Sequence, residues 1–134
     1  MGIFTIRRRF NIVKVREERE KFLRTMQDKG VVSNLRTKVR YEALPAMYED
    51  QTVIRRGKEV IKKKVVQRPV YFYADFVYEV NGVQVVEEVK DTKKPFNSLY
   101  RLKKAMMNYF HGIKIVEISE PTVWNNPNFN KQPR

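Results

Sequence analysis

Cysteine is absent from this 134-residue sequence, and histidine occurs once, at His111. Disulfides and thiolate metal sites are therefore excluded, and a lone histidine suits a cap or a packing role better than a metal centre. No apolar run approaches the roughly 20 residues that cross a bilayer. The first residues, MGIFTIRRRF, have no long apolar segment before a small-residue cleavage site, and Ile6 stands where a myristoylation motif needs Ser or Thr. These absences predict a soluble protein without a membrane partner, and a cytoplasmic location. Internal repeats, low-complexity tracts and Gly/Ser linkers are also missing, and the length suits one domain.

Basic charge is abundant. Twenty-eight Lys and Arg against fifteen Asp and Glu leave a formal charge of +13, with 42% hydrophobic residues to build a core. A field of that sign attracts polyanions and speeds their encounter, so nucleic acid is the expected partner. The clusters are Arg7-Arg8-Arg9, Arg55-Arg56 and Lys62-Lys63-Lys64.

Patterning along the chain predicts a mixed α/β sandwich. Residues 1–14 read as a basic arm or edge strand. Residues 15–29 read as a helix with Val15, Phe22 and Met26 on one arc, stopped by Gly30. A strand is expected over 35–43, and a basic hairpin over 51–68 around Arg56-Gly57-Lys58. The clearest signal is PVYFYADFVYEV and VQVVEEVK, separated by Asn81-Gly82, the dipeptide of a type I′ turn. A second helix opens after Pro95 and Asn97 and ends at Gly112, with Leu99, Leu102, Met106, Tyr109 and Phe110 as its apolar face. Residues 113–118 make a last strand, and 119–134 form a partly ordered tail. In that tail Trp124 suits either packing or nucleotide stacking.

A two-residue turn sets its own register. Counting outward from the Val80–Val83 pair, Asp75 stands opposite Glu88, with side chains on one face, and Lys90 shares that face two residues on. The other face carries Phe72, Ala74, Phe76, Tyr78, Val80, Val83, Val85 and Val89, a core stripe. Opposed carboxylates repel, and a divalent cation with oxygen ligands would relieve them. A solvated sheet face would accommodate the same three residues. Glu87 falls on the core stripe, so it lies either at a rim or in the site after a one-residue slip.

Asp75 followed by Glu88-Val89-Lys90 resembles the D…(D/E)xK pattern of the PD-(D/E)XK, or restriction-endonuclease-like, nuclease superfamily. The stretch from Tyr71 to Ile118, with its ADFVY strand, EEVK strand and YRLKK helix, is similar to a phage-encoded branch of it, including small enzymes like Holliday-junction resolvases. The resemblance implies a core of helix, three-stranded antiparallel meander, helix and strand, in a mixed sheet flanked by helices. It implies a Mg²⁺-dependent DNA endonuclease, with Mn²⁺ as a substitute, acting in recombination or replication and as a homodimer. Asp75, Glu88 and a first-helix glutamate would be the metal ligands, and Lys90 would activate the water. Glu18 is the choice for that glutamate over Glu17 and Glu20, although an ordinary surface role suits it equally. Arg55, Arg56, Lys62, Lys63 and Lys64, with Tyr100, Lys103 and Lys104 of the YRLKK segment, would contact DNA. Two positions depart from the pattern: Ala74 replaces the proline, and Asp91 stands where glycine is usual. A basic binding module without catalysis is the alternative.

Overall fold

The computed structural model describes residues 11–91 and 97–123. Pro95, Trp124 and the Arg7–Arg9 cluster lie outside them. Helix α1 spans Ile12–Asp28, β1 Ser33–Leu44, β2 Met47–Arg55, β3 Lys58–Gln67, β4 Val70–Val80, β5 Val83–Val89, α2 Ser98–His111 and β6 Val116–Ile118. Four strands form one mixed sheet in the order β1-β4-β5-β6, with β5 and β6 parallel and the other neighbours antiparallel. β2 and β3 form a separate antiparallel ribbon, which interrupts the expected meander between β1 and β4. Among the described residues the fold is thus α/β with two helices. Among the described residues, no helix is long and apolar enough to cross a membrane.

Local chemistry sets these elements. Asn11 caps α1 by accepting from the Lys14 amide, so the helix starts at Ile12 and takes residues expected in the basic arm. Asn97 caps α2 likewise through the Tyr100 amide, and Gly112 ends it at φ +66°. Both hairpins turn through two residues at positive φ, Arg56-Gly57 and Asn81-Gly82.

Two apolar cores lie on the sheet. α1 contributes Leu23 to one, with Phe76, Tyr78, Val80, Val85 and Val89. α2 contributes Met107 to the other, with Ala43, Phe72, Ala74, Val77, Val86 and Ile115. The expected single stripe on β4 is therefore divided: Phe72 and Ala74 serve the α2 core, while Phe76 and Tyr78, of the same parity, serve the α1 core. The cause lies in the neighbouring strand. Thr37 pairs with Phe76 and Val39 with Ala74, and Lys38 between them, opposite Asp75, has φ +53°. A left-handed residue breaks the alternation of faces, so the strand pair rolls over at Asp75. Val83, expected in the stripe, is 48% exposed beside the turn.

The face of α2 also differs from expectation. Leu99, Leu102, Tyr109 and Phe110 are exposed, and the helix instead buries Met107 and half-buries Tyr100, Lys103, Lys104 and Met106. The sheet surface beneath carries Glu117, which needs polar partners, so the helix turns its polar flank inward.

Candidate active site

The type I′ turn holds β4 and β5 in the predicted register, from Val80 opposite Val83 to Phe76 opposite Glu87. No slip occurs, and the place of Glu87 follows from its partner. The Arg19 guanidinium, fully buried, donates to both Glu87 oxygens, at 2.9 Å from Nε and 2.5 Å from Nη2. The Tyr78 hydroxyl adds a further donor. Arg19 also donates through Nη1 to the carbonyls of Pro121 and Val123. Glu87 is thus a satisfied core carboxylate, and Glu88 is the carboxylate left for the site.

Where the strands roll over, Asp75 meets groups from two elements. Its Oδ2 accepts from the Val89 amide at 2.8 Å, and its Oδ1 accepts from Arg16 Nε of α1 at 2.9 Å. Glu88 lies close enough for a hydrogen bond between the two carboxyls, and its Oε1 is buried without a hydrogen-bond partner. Burial first, then the charge of Asp75 and that hydrogen bond, push the Glu88 carboxyl up to about 8, against weaker pulls from Arg16 and Lys90. Lys90 reaches from the end of β5 to lie 3.9 Å from the centre of the Tyr100 ring. Its backbone amide is held by the Ile118 carbonyl at 2.8 Å, which fixes the strand end despite Asp91.

The next strand adds a carboxylate that sequence reading missed. Glu117 pairs with Glu88 in the parallel β5–β6 register. Its Oε2 accepts from the Tyr100 hydroxyl at 2.8 Å and Lys104 Nζ at 2.9 Å. Burial raises the Glu117 carboxyl, but those hydrogen bonds and the charge of Lys104 outweigh it, and the net shift is downward. Burial, then the bond to Glu117, raise the Tyr100 hydroxyl. Tyr100 and Lys104, expected to meet phosphate, hold the Glu117 carboxylate in this structure. Parallel pairing across a helical crossover leaves no local signature in the sequence, which is why Glu117 went unseen.

The structure gathers Asp75, Glu88 and Lys90 as expected, and it leaves Glu18 apart. α1 turns Arg16, Arg19 and Leu23 toward the sheet, an i, i+3, i+7 stripe. Glu18 is about 200° around the helix from Arg16 at 100° per residue, and it is exposed, as is Glu17, while Glu20 binds Arg24. Among the described residues, no three acidic or histidine side chains converge. The place expected for a glutamate is held by Arg16. A signal for Arg19 was available, since Glu87 on the core stripe requires a cation nearby.

The residues do suit a divalent cation. Mg²⁺ commonly takes one or two carboxylates, with water and substrate oxygens completing its shell. A Glu88 carboxyl pushed up by burial and by the charge of Asp75, with an orphaned buried oxygen, is the electrostatic environment such an ion relieves.

The basic residues fall into two sets. In the β2–β3 ribbon, Arg55 pairs with Lys58, Gln51 with Lys62 and Glu49 with Lys64, which places Arg55, Lys58, Lys62 and Lys64 on one face. Lys63 points to the opposite face, where it binds Asp50 at 2.9 Å among the exposed Tyr48, Ile54, Ile61 and Val65. The lysine triplet is therefore split by strand alternation, and Arg56 occupies the turn. Comparison with protein-family models, curated proteins and solved structures finds no match.

Proposed function

We propose that the protein is a Mg²⁺-dependent DNA endonuclease with a restriction-endonuclease-like core, phage-encoded and working in the host cytoplasm on recombining or replicating DNA. The observation that carries the reading is the half-buried Asp75–Glu88 carboxyl pair beside Lys90, with one Glu88 oxygen buried and unsatisfied. A stability role leaves that oxygen unexplained, because Arg16 neutralises Asp75 while Glu88 Oε1 stays buried without a hydrogen-bond partner.

In this reading Asp75 and Glu88 hold the metal. A bound divalent ion supplies an activated water and neutralises charge growing on the phosphate. The Val89 amide fixes the orientation of the Asp75 carboxylate. Lys90 is stacked on Tyr100, and the aromatic ring positions it. Its amino group orients the attacking water or offsets charge at the scissile phosphate. Glu117 fixes Tyr100 from behind, so the β6 carboxylate acts on Lys90 through the ring. The cationic ribbon face holds the DNA backbone independently of base sequence.

The Arg16–Asp75 ion pair favours a second reading, a nucleic-acid-binding module whose carboxylates are neutralised within the protein. Labelled duplex, single strand, flap and four-way junction, incubated with the protein in Mg²⁺ or EDTA, separate the two. The nuclease reading expects Mg²⁺-dependent cutting that Asp75→Ala and Lys90→Ala abolish, with Lys90→Ala keeping most of the DNA binding. Binding without cutting in both Mg²⁺ and Mn²⁺ would establish the module.

A further inference from the structure

α1 offers two arginines to the sheet, and their circumstances differ. Arg19 is fully buried and closed into Glu87 and two backbone carbonyls, so it anchors the helix. Arg16, one turn earlier, has a side chain 34% exposed and reaches down to an Asp75 side chain only 13% exposed. The backbone beneath Arg16 is fixed by its neighbour, while its own side chain stands at the opening of the site.

The two Asp75 oxygens are not equivalent. Oδ2 is committed to the Val89 amide, which is part of the sheet. Oδ1 is the oxygen not bonded to the sheet, and Arg16 Nε donates to it. A guanidinium and a divalent ion at one carboxylate oxygen compete, because like charges at contact distance repel strongly. Arg16 therefore competes with the metal for Asp75. Displaced, it remains tethered beside the site, and its planar fork suits a phosphate, which it can bind bidentately.

Resting on the nuclease reading, we propose that Arg16 is the resident counter-ion of Asp75 in the metal-free protein. Metal binding exchanges it off Oδ1 and frees it to bind a phosphate of the DNA strand at the site. The exchange gives the site two stable states: closed by an internal cation, or loaded with metal and presenting a phosphate-binding arginine. Metal and DNA then bind cooperatively, since each favours the state in which Arg16 has left Asp75.

Mn²⁺ binding to the DNA-free protein, followed by the loss of the free-ion electron paramagnetic resonance signal, tests the first half. Arg16→Ala is expected to bind Mn²⁺ several-fold more tightly than the unaltered protein, and Arg16→Lys, which keeps the charge, is expected to stay near it. If the alanine variant does not fold, Arg16→Gln makes the same comparison. The second half is read from duplex affinity in Ca²⁺ against EDTA. The gain on adding Ca²⁺ is expected to shrink several-fold in Arg16→Ala. Unchanged or weaker Mn²⁺ binding in Arg16→Ala, with Asp75→Ala abolishing it, would overturn the exchange and leave the nuclease reading standing. An unchanged Ca²⁺ gain would overturn the phosphate role. Absence of Mn²⁺ binding, or binding that Asp75→Ala leaves intact, would overturn both the exchange and the metal site.

Discussion

Glu88 keeps a proton at neutral pH that an exposed glutamate has lost, because burial and Asp75 together hold its carboxyl near 8 instead of 4.5. The sign of the consequence is fixed by proton counting. Between about 4.5 and 8 the folded protein holds more protons than the unfolded chain, so metal-free stability falls as pH rises through that window. A bound cation takes over from the proton. Stabilisation by Mg²⁺ should therefore grow across the same window and be small near its lower end. Thermal unfolding with Mg²⁺ and with EDTA at several pH values checks this, with Glu88→Gln expected to flatten the EDTA slope. A Mg²⁺ shift that ignores pH would sink the assignment. The pair itself was legible in the sequence, because Asn81-Gly82 permits one register and that register sets Asp75 against Glu88. Arg16 was not legible, since its contact depends on how a helix 59 residues away is rotated on the sheet.

At the scale of elements, α1 is held by one apolar contact set around Leu23 and one buried ion pair, Arg19–Glu87. Removing one member of a buried pair leaves an uncompensated charge, which costs about 3–5 kcal/mol. Arg19→Ala should lower stability to urea by that order, and the double variant Arg19→Met, Glu87→Leu should recover much of it by replacing the pair with packing. A loss near zero in Arg19→Ala would mean that the helix is docked by Leu23 and its neighbours alone. Strands, turns and most helix ends were legible here, since each follows from local chemistry: Asn97 as a cap, Gly112 as a left-handed stop, Asn81-Gly82 as the turn between β4 and β5; the Asn11 cap was not, and the expected start of α1 fell three residues late. The orientation of α2 was not. Its hydrophobicity favours burying Leu99, Leu102, Tyr109 and Phe110, yet Tyr109 is 83% exposed while Tyr100 and Lys104 turn inward to Glu117. Periodicity locates an apolar stripe, but the polar groups of the opposing sheet decide which flank meets it. The roll of β4 at Asp75 escaped for a similar reason. Its cause, a left-handed lysine, lies in another strand and is not a residue type that advertises that conformation.

At the scale of the whole molecule, the charge is divided between a compact sheet and a projecting ribbon. The ribbon strands pair with each other and are not part of the four-stranded sheet. At about 3.3 Å per residue, nine or ten residues reach roughly 30 Å, close to one turn of a DNA duplex at roughly 34 Å. Its cationic face carries Arg55, Lys58, Lys62 and Lys64, whereas Lys63 is spent on Asp50 across the ribbon. Position within the lysine triplet should therefore matter more than the number of lysines removed. Replacing Lys62 and Lys64 together by alanine should weaken duplex binding and lower the salt dependence by about 0.9 per lost phosphate contact. Lys63→Ala should do little. Leu44 and Val70 are paired neighbours in the main sheet, so the ribbon leaves and re-enters at one point. Excising residues 46–68 in favour of a tight turn should leave the thermal midpoint nearly unchanged, because neither apolar core draws on them. Mn²⁺ binding should survive and duplex affinity should collapse. An excised protein that still bound duplex at full strength would place the DNA on the sheet itself, against the polar flank of α2, and would assign the ribbon to another partner.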